Sequence, residues 1–362
     1  MFIHKIVIIF SATVVFSTIL VALILRLSHH KSWYDHIDHR KIHSGDVPRL
    51  GGIGFSLAFI ITAIILIFAT WHLEAIIRFL PCLIGIFIIV VFGTWDDFRP
   101  MKSYVKLLIQ VFAALCVVIP GYMFRQVTYF DLPFMDNIHW LRAPVTVLWI
   151  LGLTNAINLI DGVDGLAGGI SALIAMAFGI IFYCFGGTFF AVIICTGIVG
   201  AITGFLVFNA PIPKAKIFMG DGGSQFLGFT LALLPLIDRS HSTASLPLMY
   251  AAALLVIPIF DTTAAVWRRI RDKQPIDSPD KAHIHHKLMN LGLNSRQIDA
   301  ALFGLQLLVC ALVFISASLR DRGVLSLIIL GIAYLSALAF FTVLHVLNRK
   351  AVTVARKNEH SA

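Results

Sequence analysis

Eleven apolar runs occupy most of this chain, and their length decides what it can fold into. They cover roughly Ile6–Leu25, Ile53–Ala69, Pro81–Phe92, Val105–Ile119, Val145–Leu159, Leu166–Phe185, Phe189–Phe208, Phe226–Ile237, Leu246–Val266, Ala301–Leu319 and Leu325–Val346, the third and eighth being short. A helix needs about 20 apolar residues to cross about 30 Å of hydrocarbon. No strand pattern competes, and backbone groups in lipid must bond within their own segment. The expectation is an all-α polytopic integral membrane protein of about 11 transmembrane helices. With 59% apolar and only 13% charged residues among 362, the chain lies far from the soluble norm of about 25% charged. The first run is long for a signal peptide and has no small-residue cleavage site behind it, so it is expected to be a retained span. One transmembrane catalytic domain is expected over residues 1–348. Residues 349–362 are read as a cytoplasmic tail that is a candidate for disorder.

Charge gives the orientation. Alternating the loops puts 21 of the 28 Lys and Arg on one side. The positive-inside rule makes that side cytoplasmic, with the N-terminus outside and the C-terminus inside. The formal net charge of +9 is therefore assigned to the membrane surface and not to nucleic acid. The five cysteines all lie in apolar runs without metal-type spacing and read as small hydrophobes.

Every polar cluster falls on the same cytoplasmic side. Asn155-Ala-Ile-Asn158-Leu-Ile-Asp161-Gly-Val-Asp164-Gly places two carboxamides and two carboxylates at spacings of three, at the end of the fifth run. Asp96 and Asp97 follow the third run. Lys102 and Lys106 stand four apart and share a helix face if the fourth helix begins early. Asn209, Lys214 and Lys216 precede Phe218-Met-Gly-Asp221-Gly-Gly, a carboxylate in flexible backbone that suits a metal–phosphate site. Arg268 and Arg269 precede Asp280-Lys-Ala-His283-Ile-His285-His286. Three histidines could ligate zinc, but two are adjacent and no cysteine is near, so phosphate contact is the better reading. The loop carrying Asp38, Arg40, Lys41 and Arg49 suits anionic headgroups or a lipid phosphate. Asp261, at the inner end of the ninth run, fits helix packing and a site role equally. Polar groups are costly at a membrane, so each cluster is a functional candidate, and five on one face suggest a shared site.

These clusters, in this order, resemble the polyprenyl-phosphate N-acetylhexosamine-1-phosphate transferases, from about Asp38 to His286. The resemblance implies transfer of a sugar 1-phosphate from a UDP-sugar to an undecaprenyl-phosphate-type carrier, with release of UMP. It implies Mg2+, for which Mn2+ often substitutes. It assigns Asp221, together with Asp97, to the metal, and Asp96 or Asp97 to deprotonation of the lipid phosphate. Lys106 matches a phosphate-contacting lysine, and Asn158, Asp161 and Asp164 match the metal-and-nucleotide motif. Asn209 and Phe218 match uridine-pocket positions, and His283, His285 and His286 match the histidine motif. The spelling His-Ile-His-His resembles the sugar-1-phosphate transferases and favours a small UDP-HexNAc donor over the UDP-MurNAc-pentapeptide of the peptidoglycan translocase, and among such donors the resemblance puts UDP-GlcNAc first. The implied setting is the bacterial inner membrane with the site on its cytoplasmic face, and a homodimer is a candidate assembly. Direct attack of the lipid phosphate on the β-phosphorus is expected, ahead of a route through an aspartyl-phosphate. A secondary transporter would need acids at mid-span and repeat symmetry, and neither is seen. A CDP-alcohol phosphotransferase lacks here the Ala-Arg pair expected after its first Asp-Gly.

Overall fold

The computed structural model describes residues 2–31, 33, 47–70, 73–124, 139–210, 214–237, 246–278, 280 and 282–359. Every regular element among them is helical. In chain order these are α1 (Phe2–Lys31), α2 (Gly51–Thr70), α3 (Leu73–Phe98), α4 (Ser103–Val118), α5 (His139–Ile160), α6 (Leu166–Cys184), α7 (Phe189–Asn209), α8 (Gly220–Ile237), α9 (Leu248–Leu254), α10 (Val256–Arg271), α11 (Ile284–Asn290), α12 (Ser295–Ser318) and α13 (Val324–Glu359). Each apolar run of the sequence falls on a helix, except that the ninth is divided between α9 and α10. Among the described residues, seven helices are long and apolar enough to cross a membrane, or eight if the bent α9–α10 pair is one span. The apolar stretches of α2 and α4 are shorter.

The outward faces confirm the surroundings. Ile8, Val15, Ile19, Leu23 and Leu27 of α1 are exposed, as are Ile328, Ile332, Leu335 and Leu338 of α13. Water does not tolerate apolar stripes of that length on a monomer, whereas lipid does. The molecule is a polytopic membrane protein.

The chain forms two compact units, Met1–Pro247 and Leu248–Ala362. In the first, α8 is the central helix. Apart from Asp221, its residues from Gly220 to Ile237 are all buried, and it packs on α2, α3 and α5. A helix apolar on all sides belongs in an interior. Around it, α1 packs on α7, where Ser17 Oγ donates to the carbonyl of Ala201 (2.6 Å).

In the second unit the α9–α10 pair bends by 85°. Pro258 explains the bend. Its nitrogen has no hydrogen for the carbonyl of Leu254, four residues back, and its ring crowds that turn. The freed carbonyl instead accepts from Gln306 Nε2 of α12 (2.9 Å), and Gln306 is fully buried. An unsatisfied carbonyl in an apolar interior costs about 1–3 kcal/mol. Gln306→Leu leaves that carbonyl unmet but also removes Gln306 Oε1, which is buried without a partner, so a loss at the lower end of that range, about 1 kcal/mol, is expected in detergent thermal or denaturant unfolding. Leu307→Val, at a half-exposed neighbour, should change it by less than about 0.5 kcal/mol. Equal stability of the two variants would refute this role for Gln306.

Candidate functional site

The first unit gathers the charged residues around the start of α8. Backbone bonds set the frame. The amide of Phe218 donates to the carbonyl of Pro48 (2.7 Å), while those of Gly51 and Gly52 donate to the carbonyls of Phe218 and Met219 (3.0 and 2.8 Å). This short ladder lays the segment before α2 against the segment before α8. The approach is too close for side chains, since a Cβ on Gly52 would lie 2.3 Å from the nitrogen of Gly223. Gly220 then turns into α8 with φ +75°, and a Cβ there would lie 2.1 Å from the carbonyl oxygen of Arg49. Only glycine serves at that position.

Asp97, in the last turn of α3, covers the first amides of α8. Its Oδ1 accepts from Asp221 N (2.7 Å) and its Oδ2 from Gly222 N (3.0 Å). Those amides have no partner within the helix, and a carboxylate also complements the positive end of the helix dipole. The two adjacent acids point apart. Asp96 is buried, accepts from the amide of Met101 (2.6 Å) and pairs with Lys106 Nζ. Lys106 also donates to Asp221 Oδ2 (3.0 Å), and Arg49 Nη2 lies 3.5 Å from Asp221 Oδ1. Asp96 and Asp221 therefore share the ammonium of Lys106. Three carboxylates, one lysine and one arginine thus meet from the ends of α3, α4, α8 and the segment before α2.

The expected Asn158–Asp164 wall is partly in this cluster. Asn158 Nδ2 donates to Ser224 Oγ of α8 (2.8 Å). Asp161, just beyond α5, is half-buried, and its carboxyl is pushed up to about 7. Burial is the main cause; the Asp221 and Asp164 carboxylates add to it, and Arg49 opposes it. Asp164 Oδ2 accepts from the amide of Ala215 (3.4 Å). Asn209 acts as a clasp here. Its Oδ1 accepts from Gly165 N (2.9 Å) and its Nδ2 donates to the carbonyl of Ile217 (3.0 Å). Both ends of that carboxamide are therefore engaged with backbone. The side chain of Phe218 is half-buried beside the ladder its backbone completes.

Asn155 is placed differently from the acids. It exchanges hydrogen bonds with Gln110 of α4 (2.7 and 3.3 Å), and Gln110 also donates to Gln225 Oε1 of α8 (3.1 Å). This carboxamide layer joins three helices, and sequence reading missed Gln110 and Gln225. The signal was available, because each lies four residues beyond Lys106 or Asp221 on the same helix face. Lys102 is not on α4. It is the extended N-cap residue, exposed, with Nζ 5.9 Å from the Tyr104 ring centroid. The helix begins one residue too late for Lys102 to share the face of Lys106. Asp38, Arg40 and Lys41 lie outside the described residues.

The second unit holds the histidine cluster. His283 and His285 are stacked at 6.0 Å between centroids, and His285 and His286 lie 4.3 Å apart. Burial and the neighbouring charge of His286 bring His285 down to about 4, which keeps it neutral near pH 7. Asp280 accepts twice from Arg268 (3.1 and 2.5 Å) and once from the amide of Ala282 (2.8 Å), fixing the approach to the histidines. Arg269 is buried, and its Nε has no hydrogen-bond partner. Lys287 is buried too, and burial followed by the charge of Arg268 lowers its pKa. The histidines do not form a zinc-type set, and among the described residues no group of three or more His, Cys, Asp or Glu is arranged to hold a metal ion. A site built on fewer protein ligands remains chemically sound, because Mg2+ usually takes one or two carboxylates and completes its shell with phosphate oxygens and water. Asp221, in the first turn of α8, fits that donor set.

A helical membrane protein with carboxylates and cations interleaved at the end of its central helix is built to handle charged groups beside lipid. Residues 79–238 match glycosyl transferase family 4. A Bacillus subtilis (strain 168) protein named as a probable undecaprenyl-phosphate N-acetylglucosaminyl 1-phosphate transferase is 35% identical over 321 residues, 87% of this chain and 86% of that protein. Undecaprenyl-phosphate alpha-N-acetylglucosaminyl 1-phosphate transferases of Salmonella typhi and Escherichia coli (strain K12) are each 30% identical, covering 78% of this chain and 76% of theirs. The chain belongs to glycosyl transferase family 4 and is a membrane transferase of that family.

Asp161 supplies a pH test. Its folded pKa of about 7 is above the unfolded value of 3.8. The folded state therefore holds the proton more tightly, a stabilisation complete below about pH 4 and lost as pH rises through about 7. Asp161→Asn cannot lose that proton. In EDTA and without substrate, its unfolding temperature should gain on the wild type from pH 4 to 7 and then keep a constant lead. A difference that does not vary with pH would contradict this assignment.

Proposed function

We propose that this enzyme transfers N-acetylglucosamine 1-phosphate from UDP-N-acetylglucosamine to undecaprenyl phosphate, releasing UMP and starting a lipid-linked cell-surface glycan. The observation that carries the reading is the Asp96–Lys106–Asp221–Arg49 cluster at the mouth of an apolar helix bundle. The names of the relatives agree with it. A UDP-sugar and a lipid phosphate are both anionic, so bringing them together requires cations at fixed positions. Lys106 and Arg49 meet that requirement while held by carboxylates that phosphate oxygens can replace.

In the proposed reaction an oxygen of the lipid phosphate bonds to the β-phosphorus of the UDP-sugar. The bond from that phosphorus to the bridging oxygen breaks, and UMP leaves with the bond's electrons. Asp96, buried and paired with Lys106, is placed to take a proton from the lipid phosphate. Asp221 would hold Mg2+, or Mn2+ in its place, while Asp97, expected beside it on the metal, has both oxygens engaged by the first amides of α8. When bound, the ion supplies neutralisation of phosphate charge. We assign residues 1–348 to one transmembrane catalytic domain in the bacterial inner membrane, with its site on the cytoplasmic face. Eleven spans and an outward N-terminus remain our reading of the charge map.

Purified protein with undecaprenyl phosphate, Mg2+ and a panel of UDP-sugars is expected to release UMP and form lipid-linked product, fastest with UDP-GlcNAc. Asp221→Asn should lower the rate by at least ~100-fold while the protein still inserts and folds. Absence of product with every UDP-HexNAc from a folded preparation would end this proposal. Trapping of a phosphorylated enzyme would replace direct attack with a two-step route.

A further inference from the structure

Asp261 is a buried acid that the reaction outlined above does not use. It sits on α10, one residue turn beyond the Pro258 bend, and is only 2% exposed. Such a carboxylate persists only if hydrogen bonds and a partner compensate for the water it has lost. Both come from one short segment. Oδ1 accepts from the amide of Ile284 (2.8 Å) and Oδ2 meets His283 Nδ1 (2.9 Å). His283 is the N-cap residue of α11, yet its own side chain makes no cap bond. Asp261 thus does the capping from another helix and holds the ring of the cap residue as well.

The bond also decides which ring nitrogen carries hydrogen. A carboxylate can only accept, so Nδ1 must donate, which leaves Nε2 as the nitrogen able to act on another molecule. His283 is itself buried, and its ring lies parallel to that of His285, with only 4° between the planes. A fixed His283 therefore also supports its neighbour in the stack. Arg268 and Asp280 brace the segment from the preceding side, so the ring has little freedom to turn.

We propose that Asp261 is a positioning residue that orients His283 and fixes its Nδ1–H tautomer for sugar-phosphate transfer, a role that rests on the function proposed above. A purely structural capping acid would predict something different, and asparagine separates the two. Asp261→Asn keeps a carbonyl for the amide of Ile284 and keeps the volume. Its NH2 can only donate to Nδ1, which drives the ring proton to Nε2. The same substitution behind a catalytic histidine elsewhere leaves geometry intact and disables the ring through the wrong tautomer.

The experiment compares wild type, Asp261→Asn, His283→Gln and the double variant in detergent, with UDP-GlcNAc and undecaprenyl phosphate as substrates. Asp261→Asn is expected to unfold at the wild-type temperature, keep its KM for UDP-GlcNAc, and lose ~10-fold or more in kcat. The double variant should lose no more than the worse single variant. A wild-type kcat in Asp261→Asn, or losses that multiply in the double variant, would overturn the proposal. 15N spectra of labelled histidine, with the His283 signal assigned by its loss in His283→Gln, give a second readout independent of the reaction. Protonation at Nδ1 in wild type and at Nε2 in Asp261→Asn supports the proposal. An Nε2–H tautomer in wild type defeats it whatever the substrate. Absence of UMP release from wild type with any UDP-HexNAc, beside the expected spectra, would defeat the proposed function and leave the tautomer assignment standing.

Discussion

The start of α8 is a helix end at the edge of a packed apolar interior, and the bonds Asp97 makes to it hold the first unit's charged centre in place. The first amides of a helix have no partner of their own, and in such a setting each unmet amide is expensive. Asp97 meets two of them from the end of α3. The chain thereby locks the last turn of α3 to the first turn of α8. Because neighbouring residues on a helix point apart, the same turn that aims Asp97 at these amides aims Asp96 at Lys106. The paired acids thus divide their work: one holds the frame, and the other stands among the groups that can exchange partners.

Charge balance at that place is uneven. Asp96 and Asp221 share Lys106, with Arg49 beside Asp221, and Asp97, Asp161 and Asp164 add three further carboxylates around them. The rise of Asp161 to about 7 is one consequence, since burial and like charge both oppose a further anion. A surplus of carboxylate suits a divalent ion that arrives with a phosphate-bearing substrate. The histidine segment of the second unit has the opposite character. Arg268, Arg269 and Lys287 accompany the histidines, with Asp261 and Asp280 serving to hold them. Each unit therefore uses buried ions of one sign to place groups of the other.

Much of this could be read from residue order. Runs of apolar residues gave the helices almost one for one, because lipid demands both their length and their internal hydrogen bonding. The exception was the ninth run, where hydropathy is continuous through Leu255 but Pro258 removes a bond and the chain turns by 85°. Pattern reading registers apolarity and is blind to a missing N–H. Glycine-flanked Asp221 and the pair Asp96–Asp97 were legible as a site because acids are rare in such surroundings. Which acid did what was not, since that depends on where the amides of α8 fall. Asn209 and Asn155 show the same limit. A carboxamide near a site looks the same in sequence whether it faces a ligand, clasps two loops or bridges two helices. Only coordinates separate these roles.

The carboxamide layer explains how the charges keep their register. Lys106 and Gln110 stand one turn apart on α4, and Asp221 and Gln225 one turn apart on α8. Each helix thus offers a charge and, next to it, a carboxamide toward the same interior. Gln110 bonds both to Gln225 and to Asn155, so α4, α5 and α8 cannot slide or rotate past each other without breaking hydrogen bonds in a poorly solvated place. Neutral amides suit this task better than ion pairs would. They lose less on burial, and their paired donors and acceptors specify geometry. They also leave the charges above them unshared. Lysine one turn away can then exchange aspartate for phosphate oxygens, and aspartate can exchange lysine for a divalent cation, without loosening the helices that carry them. Polar residues in this bundle are consequently layered by consequence: amides where a bond must never open, and ions where it must.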